Sequence, residues 1–162
     1  GLSAGLGDAL AARIDNLPYN TYVLLGDGEC AEGQVWEAAE IASYYKASNL
    51  FAIIDVNGLG QSQHTMDRFD VDRFAAKFRA FGWFALTVDG HNYAEIVDAF
   101  EKCRREGGSQ PRAIVAKTLK GKGVKLAGKA ASLAIGNNNV AFIRFDLSQI
   151  PAAATVRPTP MP

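Results

Sequence analysis

Apolar and polar positions along the chain fall into two kinds of segment that take turns. Ser3 to Ile14 is rich in alanine and leucine and reads as a helix. Gln34 to Ala47 carries Val35, Ala38, Ala39, Ala42 and Tyr45 at the three-and-four spacing of one helix face. Asp72 to Phe81 does the same with Phe74, Ala75, Phe78 and Phe81, and Gly82 is placed to end it. Tyr93 to Glu106 repeats the signal through Tyr93, Ile96, Val97, Phe100 and Cys103. That last helix opens on Asn92 and Glu95, a pattern resembling a capping box. Its end carries Lys102, Arg104 and Arg105, which suit the negative pole of the helix dipole. Between the helices lie short runs of the second kind: Thr21 to Leu25, Leu50 to Val56, Ala85 to Val88 and Arg112 to Lys117.

These short runs do not alternate, so they predict strands covered on both faces. Strands of that type separated by helices make an α/β fold, a parallel sheet flanked by helices on both faces. In such sheets ligands sit beyond the carboxyl ends of the strands. Asp27-Gly28, Asn57-Gly58 and Asp89-Gly90 all fall at such ends, so one rim of the sheet is where function is expected. The fold is expected to occupy residues 1–124. From 125 to 162 the chain reads as linker or poorly ordered tail, with a polar break at Asn137-Asn138-Asn139 and several prolines after Ile150. Val140 to Leu147 is a candidate for one more strand.

Bulk properties narrow the function without naming it. The 162 residues are 48% hydrophobic and 21% charged, ordinary for a globular domain. Lysine plus arginine and aspartate plus glutamate both number 17, so no basic excess points to nucleic acid or a membrane surface. No apolar run approaches the roughly 18 residues of a membrane span. Cys30 and Cys103 form no metal or redox spacing and read as reduced thiols of a cytoplasmic protein. The chain opens on Gly1-Leu2-Ser3 without methionine and with no signal-peptide pattern, as a fragment or processed chain would.

The chemistry concentrates at Gly26-Asp27-Gly28-Glu29-Cys30-Ala31, directly between a strand and a helix. This fits the GxGxxA dinucleotide pattern, which alone is a weak signal. Asp27 is the informative residue. A turn that offers backbone N–H groups to phosphate gains nothing from a carboxylate. Two like charges 4 Å apart repel by about 4 kcal/mol at an effective dielectric of 20. The carboxylate becomes useful once a cation lies between it and the phosphates. At the end of the next strand, Asn57 offers a neutral side-chain oxygen. The extended chain after Gly58 can turn a backbone carbonyl inward, and that of Leu59 is the best placed. Magnesium prefers such oxygen donors, completed by phosphate oxygens and water. Asp27, Asn57 and Leu59 are therefore the candidate metal ligands, with Gly28 leaving room for a diphosphate. Read singly, Asp-Gly and Asn-Gly are also common hairpin turns, but no strand pattern follows either one here.

Several strings in this order resemble the transketolase family of thiamine-diphosphate enzymes. They are Leu25-Gly-Asp-Gly-Glu-Cys-Ala-Glu-Gly-Gln-Val-Trp-Glu-Ala38, Gly58-Leu-Gly-Gln-Ser62, Ala80-Phe-Gly-Trp83, Val88-Asp-Gly-His91 and Ala116-Lys-Thr-Leu-Lys-Gly-Lys-Gly-Val124. The resemblance covers residues 1 to about 124. It implies thiamine diphosphate bound through Mg2+ by Asp27, Asn57 and the Leu59 carbonyl, with Gly28 against the diphosphate. It puts Gln61 and Leu59 near the cofactor's rings and Lys120 at the substrate side. Glu32 matches a family glutamate at the dimer interface, linked to the cofactor-activating glutamate of the other subunit. The implied activity is transfer of a two-carbon ketol unit between sugar phosphates. That activity would be incomplete without a pyrimidine-binding domain or carboxyl-terminal transketolase subunit, in a homo- or hetero-oligomer. His91 in its Asp-Gly-His turn and His64 in a polar loop read as structural or solvated residues.

The resemblance also has gaps. Family members carry an upstream Gly-Ser-Leu-Gly-Gln stretch, upstream histidines and a His-Gly-Lys motif after the Gly-Lys-Gly turn. Here Ala127-Gly128-Lys129 stands where that motif would fall. Three other readings stay open on sequence alone. They are another thiamine-diphosphate subunit (a 2-oxo acid dehydrogenase alpha chain or deoxyxylulose-phosphate synthase), a non-catalytic remnant, and at fold level a nicotinamide dehydrogenase.

Overall fold

The computed structural model describes residues 1–60 and 63–122. Gln61, Ser62 and 123–162 lie outside the described residues, and with them the expected tail, the candidate strand at Val140 to Leu147 and Ala127-Gly128-Lys129. The elements run α1 (Leu2–Ile14), β1 (Thr21–Gly26), α2 (Gly33–Tyr44), β2 (Leu50–Val56), α3 (Val71–Ala80), β3 (Phe84–Asp89), α4 (Tyr93–Glu106) and β4 (Arg112–Lys117). A compact unit spans Gly1–Lys120. All four strands are parallel, in the order β1-β2-β4-β3.

That order explains where the helices lie. From β1 to β2 to β3 the chain moves one way across the sheet, and from β3 to β4 it steps back. A right-handed crossover puts its helix on one face when the chain moves one way and on the opposite face when it reverses. Accordingly the crossover helices α2 and α3 share one face, and α1, which precedes β1, joins them in one apolar layer with Leu25, Ile54, Val56 and Val115. On the other face α4 covers Phe51, Ile114 and Ala116 through Ala99 and Cys103. Helices flank both faces, as the sequence implied.

Local chemistry sets the ends of the elements. The Asp70 carboxylate caps α3 by accepting from Arg73 N at 2.9 Å. Asn92 caps α4 through the N–H groups of Ala94 and Glu95. The Asn92–Glu95 pair differs from a standard capping box. Glu95 accepts from the Asn92 side-chain amide at 2.8 Å and from the backbone N of Asp89 at 2.9 Å, so it ties α4 to the end of β3. The second helix stops at Tyr44, short of the expected Ala47, because Lys46 turns left-handed at φ 50°.

The layer between α2 and α3 fixes the segment that follows β1. Trp83 is 1% exposed and donates its indole N–H to Ala39 O at 2.9 Å. Trp36 packs on Phe78 and Phe81 and donates to Cys30 O at 2.8 Å. That bond pins a single turn of 3-10 helix at Glu29–Ala31. Full burial of an apolar side chain such as Phe78 contributes roughly 1.5–3 kcal/mol. The turn at Gly28 is thereby held by the core rather than left as a loose loop.

Candidate functional site

The carboxyl ends of β1 and β2 meet at Asp27 and Asp55. Asp27 N donates to Asp55 O at 3.1 Å, continuing the strand pairing one residue past Gly26. Asp27 is 3% exposed. A carboxylate out of water needs donors, and this one has three among the described residues. Its Oδ1 accepts from Gly28 N at 3.0 Å, and its Oδ2 from Gly58 N at 2.8 Å and Thr65 Oγ1 at 2.9 Å. A carboxylate has about four acceptor positions. Among the described residues the remaining position, on Oδ1, has no partner.

Asn57 lies beside it, also buried. Its Nδ2 donates to Asp55 Oδ2 at 3.0 Å, and its Oδ1 accepts from Leu59 N at 3.0 Å. Gly58 sits at φ +73°, and a Cβ there would come within 3.1 Å of the Phe69 ring. Only glycine makes this bend without strain. The bend carries the chain back over β1. A Cβ on Gly28 would sit 3.5 Å from Gly60 Cα and 4.0 Å from the Leu59 carbonyl oxygen. The absent side chain of Gly28 therefore leaves a hollow faced by the Leu59 carbonyl. A cleft of about 260 Å³ adjoins it, lined among others by Asp27, Gly28, Gly60, Thr65 and Lys77.

The segment after Asn57-Gly58 shows no strand pattern in the sequence, yet it turns back on itself. Leu59 and His64 make an isolated antiparallel bridge, and Gly60 N donates to Gln63 O at 2.8 Å. The loop is thus a small return, too short to be seen as a strand pattern. It delivers Thr65 to Asp27, a contact that no spacing in the sequence announces. Thr118 is a second missed residue. Its hydroxyl donates to Asp55 Oδ1, and its N–H to Val56 O at 3.0 Å.

The other anticipated residues divide. Gln61 lies outside the described residues. Lys120 is exposed in the turn after β4, on the same rim. Glu32 is exposed at the start of α2, where it accepts from Gln34 Nε2 at 3.1 Å. His91 is a turn residue, but its ring also acts: Nε2 accepts from Leu119 N at 2.9 Å and so anchors the segment leading to Lys120. His64 is exposed, with Nδ1 3.0 Å from Gly58 O. Both cysteines are free and buried. Burial pushes the Cys30 thiol up to about 12 and that of Cys103 to about 11, so both stay protonated near neutral pH.

The donor set fits a hard cation. A carboxylate, a side-chain amide and a backbone carbonyl occur at the neighbouring ends of β1 and β2, in Asp27, Asn57 and Leu59, with no thiol or imidazole among these three residues. Among the described residues, no group of three or more His, Cys, Asp or Glu side chains is placed to hold a metal ion. No helix among them is long and apolar enough to cross a membrane.

A parallel sheet with a buried acid and glycine turns on its carboxyl rim is the architecture of α/β domains that take phosphorylated ligands at their strand ends. Within that class the chain belongs to the transketolase family. The family model described as "Transketolase, thiamine diphosphate binding domain" matches residues 9–158. Human transketolase is 46% identical over 125 residues, which are 76% of this chain and 19% of that protein. A 6-deoxy-6-sulfo-D-fructose transketolase subunit from a Clostridium strain is 42% identical over 133 residues, 82% of this chain and 48% of that subunit. The crystal structure of transketolase from Campylobacter jejuni superposes with a TM-score of 0.69 at 27% identity, covering 80% of this chain and 21% of that one. The chain thus spans about a fifth of full-length transketolases and about half of the subunit.

Proposed function

We propose that this chain is the amino-terminal, cofactor-binding part of a transketolase, holding thiamine diphosphate through a Mg2+ ion. The observation that carries the reading is the buried Asp27 carboxylate. Among the described residues three donors reach it, one of them the Gly58 N–H next to Asn57, and the Leu59 carbonyl faces the neighbouring Gly28. Asp27, Asn57 and Leu59 ligate the metal, and Gly28 lets the diphosphate approach the backbone. When bound, thiamine diphosphate supplies the chemistry that moves a two-carbon ketol unit between sugar phosphates. Gln61 and Leu59 flank the cofactor's rings, and Lys120 addresses the phosphorylated substrate from the rim.

The reading includes a partner. A pyrimidine-binding domain or carboxyl-terminal transketolase subunit completes the site, with Glu32 at the contact. The named subunit among the relatives, of which this chain spans about half, supports a division between chains. The two protonated, buried thiols suit a reducing cytoplasm. Without its partner this chain is expected to show no turnover. The family match argues against the other thiamine-diphosphate subunits. An acid inside the phosphate turn argues against a nicotinamide dehydrogenase.

The test is calorimetric titration of thiamine diphosphate into the chain, with Mg2+ and again with EDTA. Binding that vanishes in EDTA supports the site. Binding that ignores EDTA removes the metal from the reading. Absence of binding in both, with and without a carboxyl-terminal transketolase subunit, favours a non-catalytic remnant.

A further inference from the structure

Asp55 and Thr118 have no part in the ligand set, yet together they decide which end of the Asn57 amide faces the rim. An asparagine amide has a donor end and an acceptor end of nearly the same shape, and only the oxygen can ligate a cation. A carboxylate can only accept. Asp55 Oδ2, 3.0 Å from Asn57 Nδ2, can therefore pair with the NH2 end alone. A flipped amide would put oxygen against oxygen. Asp55 is itself held from its other side by the Thr118 hydroxyl on Oδ1. Thr118 is in turn fixed by its N–H on Val56 O at 3.0 Å, so the clamp joins the ends of β2 and β4. Leu59 N closes the arrangement on Asn57 Oδ1 at 3.0 Å, which leaves that oxygen one acceptor position.

We propose that Asp55, clamped by Thr118, is a positioning residue that keeps the Asn57 oxygen turned toward the cation. The inference rests on the reading of Asn57 as a metal ligand. Outer partners of this kind change metal affinity by roughly 10–100-fold when removed.

The experiment uses the full chain and two readouts. The first is the Mg2+ dependence of thiamine diphosphate binding by calorimetry, for wild type, Asp27→Ala, Asp55→Ala, Thr118→Val and the double variant Asp55→Ala/Asn57→Asp. The second is hydrogen exchange of the Asn57 side-chain amide by NMR in the metal-free chain. Asp55→Ala is expected to weaken Mg2+ binding by about 10–100-fold and Thr118→Val by less. Asn57 amide exchange is expected to speed up at least about tenfold in Asp55→Ala, as befits a lost bond to a charged acceptor. The double variant is expected to recover most of the affinity, since a carboxylate at 57 has no wrong end. A purely structural role for Asp55 would give no such rescue. Asp55→Ala binding Mg2+ within twofold of wild type overturns the inference while leaving the ligand set standing. If the wild type shows no Mg2+-dependent binding, the parent reading falls, and the amide exchange decides: an unchanged rate in Asp55→Ala overturns the clamp. Thermal unfolding of each metal-free variant checks the fold, and Thr118→Val carries both readouts if Asp55→Ala does not fold.

Discussion

The turns at Asp27-Gly28 and Asp89-Gly90 begin from the same dipeptide, each after a parallel edge strand, on the same rim of one sheet. Their aspartates end up in opposite situations. Asp27 is buried, and two of its three donors come from the loop that follows the neighbouring strand. Asp89 is exposed and accepts from His91 N at 2.9 Å, a bond within its own turn. The difference lies in what the adjacent strand sends back. After β2 the left-handed Gly58 folds the chain over β1 and brings Thr65 to the acid. After β4 the chain contributes Leu119 N to the His91 ring, not to Asp89. A second loop closes over the first Asp-Gly and buries its acid, while none among the described residues closes over the second.

Substitutions can break that contrast, and the largest effect is expected at Asp27. Asp27→Ala should lower Mg2+-dependent affinity for thiamine diphosphate by at least about 100-fold, from the loss of a full charge near the ion. The sheet should survive, which circular dichroism would check. An unchanged affinity would reduce the first turn to the status of the second.

Gly58→Ala tests the returning loop. Its φ of +73° and the 3.1 Å approach to Phe69 should lower stability by about 1–3 kcal/mol, read from denaturant midpoints. Cofactor binding should fall with it. On the opposite side of the comparison, Asn92→Ala removes the cap of α4 and should cost about 1 kcal/mol with no change in metal dependence. Asp89→Ala should be smaller still, within about 0.5 kcal/mol, and silent in calorimetry. A metal effect at Asp89 would mean that both turns belong to the site.

The buried thiols give the last and weakest signal. Their folded values of about 12 and about 11 lie above the ordinary 9.0, so between pH 9 and the folded values the unfolded chain loses protons that the folded chain keeps. Their contribution to stability is therefore complete below pH 9 and declines as pH rises through that window. At pH 8, thiol labelling should follow unfolding rather than precede it. Fast labelling of the folded chain would show that either face of the sheet opens readily.

Three-and-four spacing, alanine and leucine content at the first helix and continuous apolar runs located the four helices and four strands of the described residues, because each leaves few alternatives in a sheet covered on both faces. Charge repulsion in a phosphate turn singled out Asp27, and the matching strand end Asn57, as candidate metal ligands. Glycine at 28 offered room for a diphosphate in the sequence, whereas the left-handed bend at Gly58 is seen only in the structure. Thr65, Asp55 and Thr118 were not legible in these roles, and neither was the anchoring of Leu119 by His91. Each acts through a partner on another strand or loop, and no local pattern records which loop folds over which strand end. The sequence determines the layers and the chemistry brought to the rim. Tertiary structure alone decides which aspartate is buried and which way an amide turns, because both depend on donors and acceptors that meet only after β2 pairs with β1 and β4.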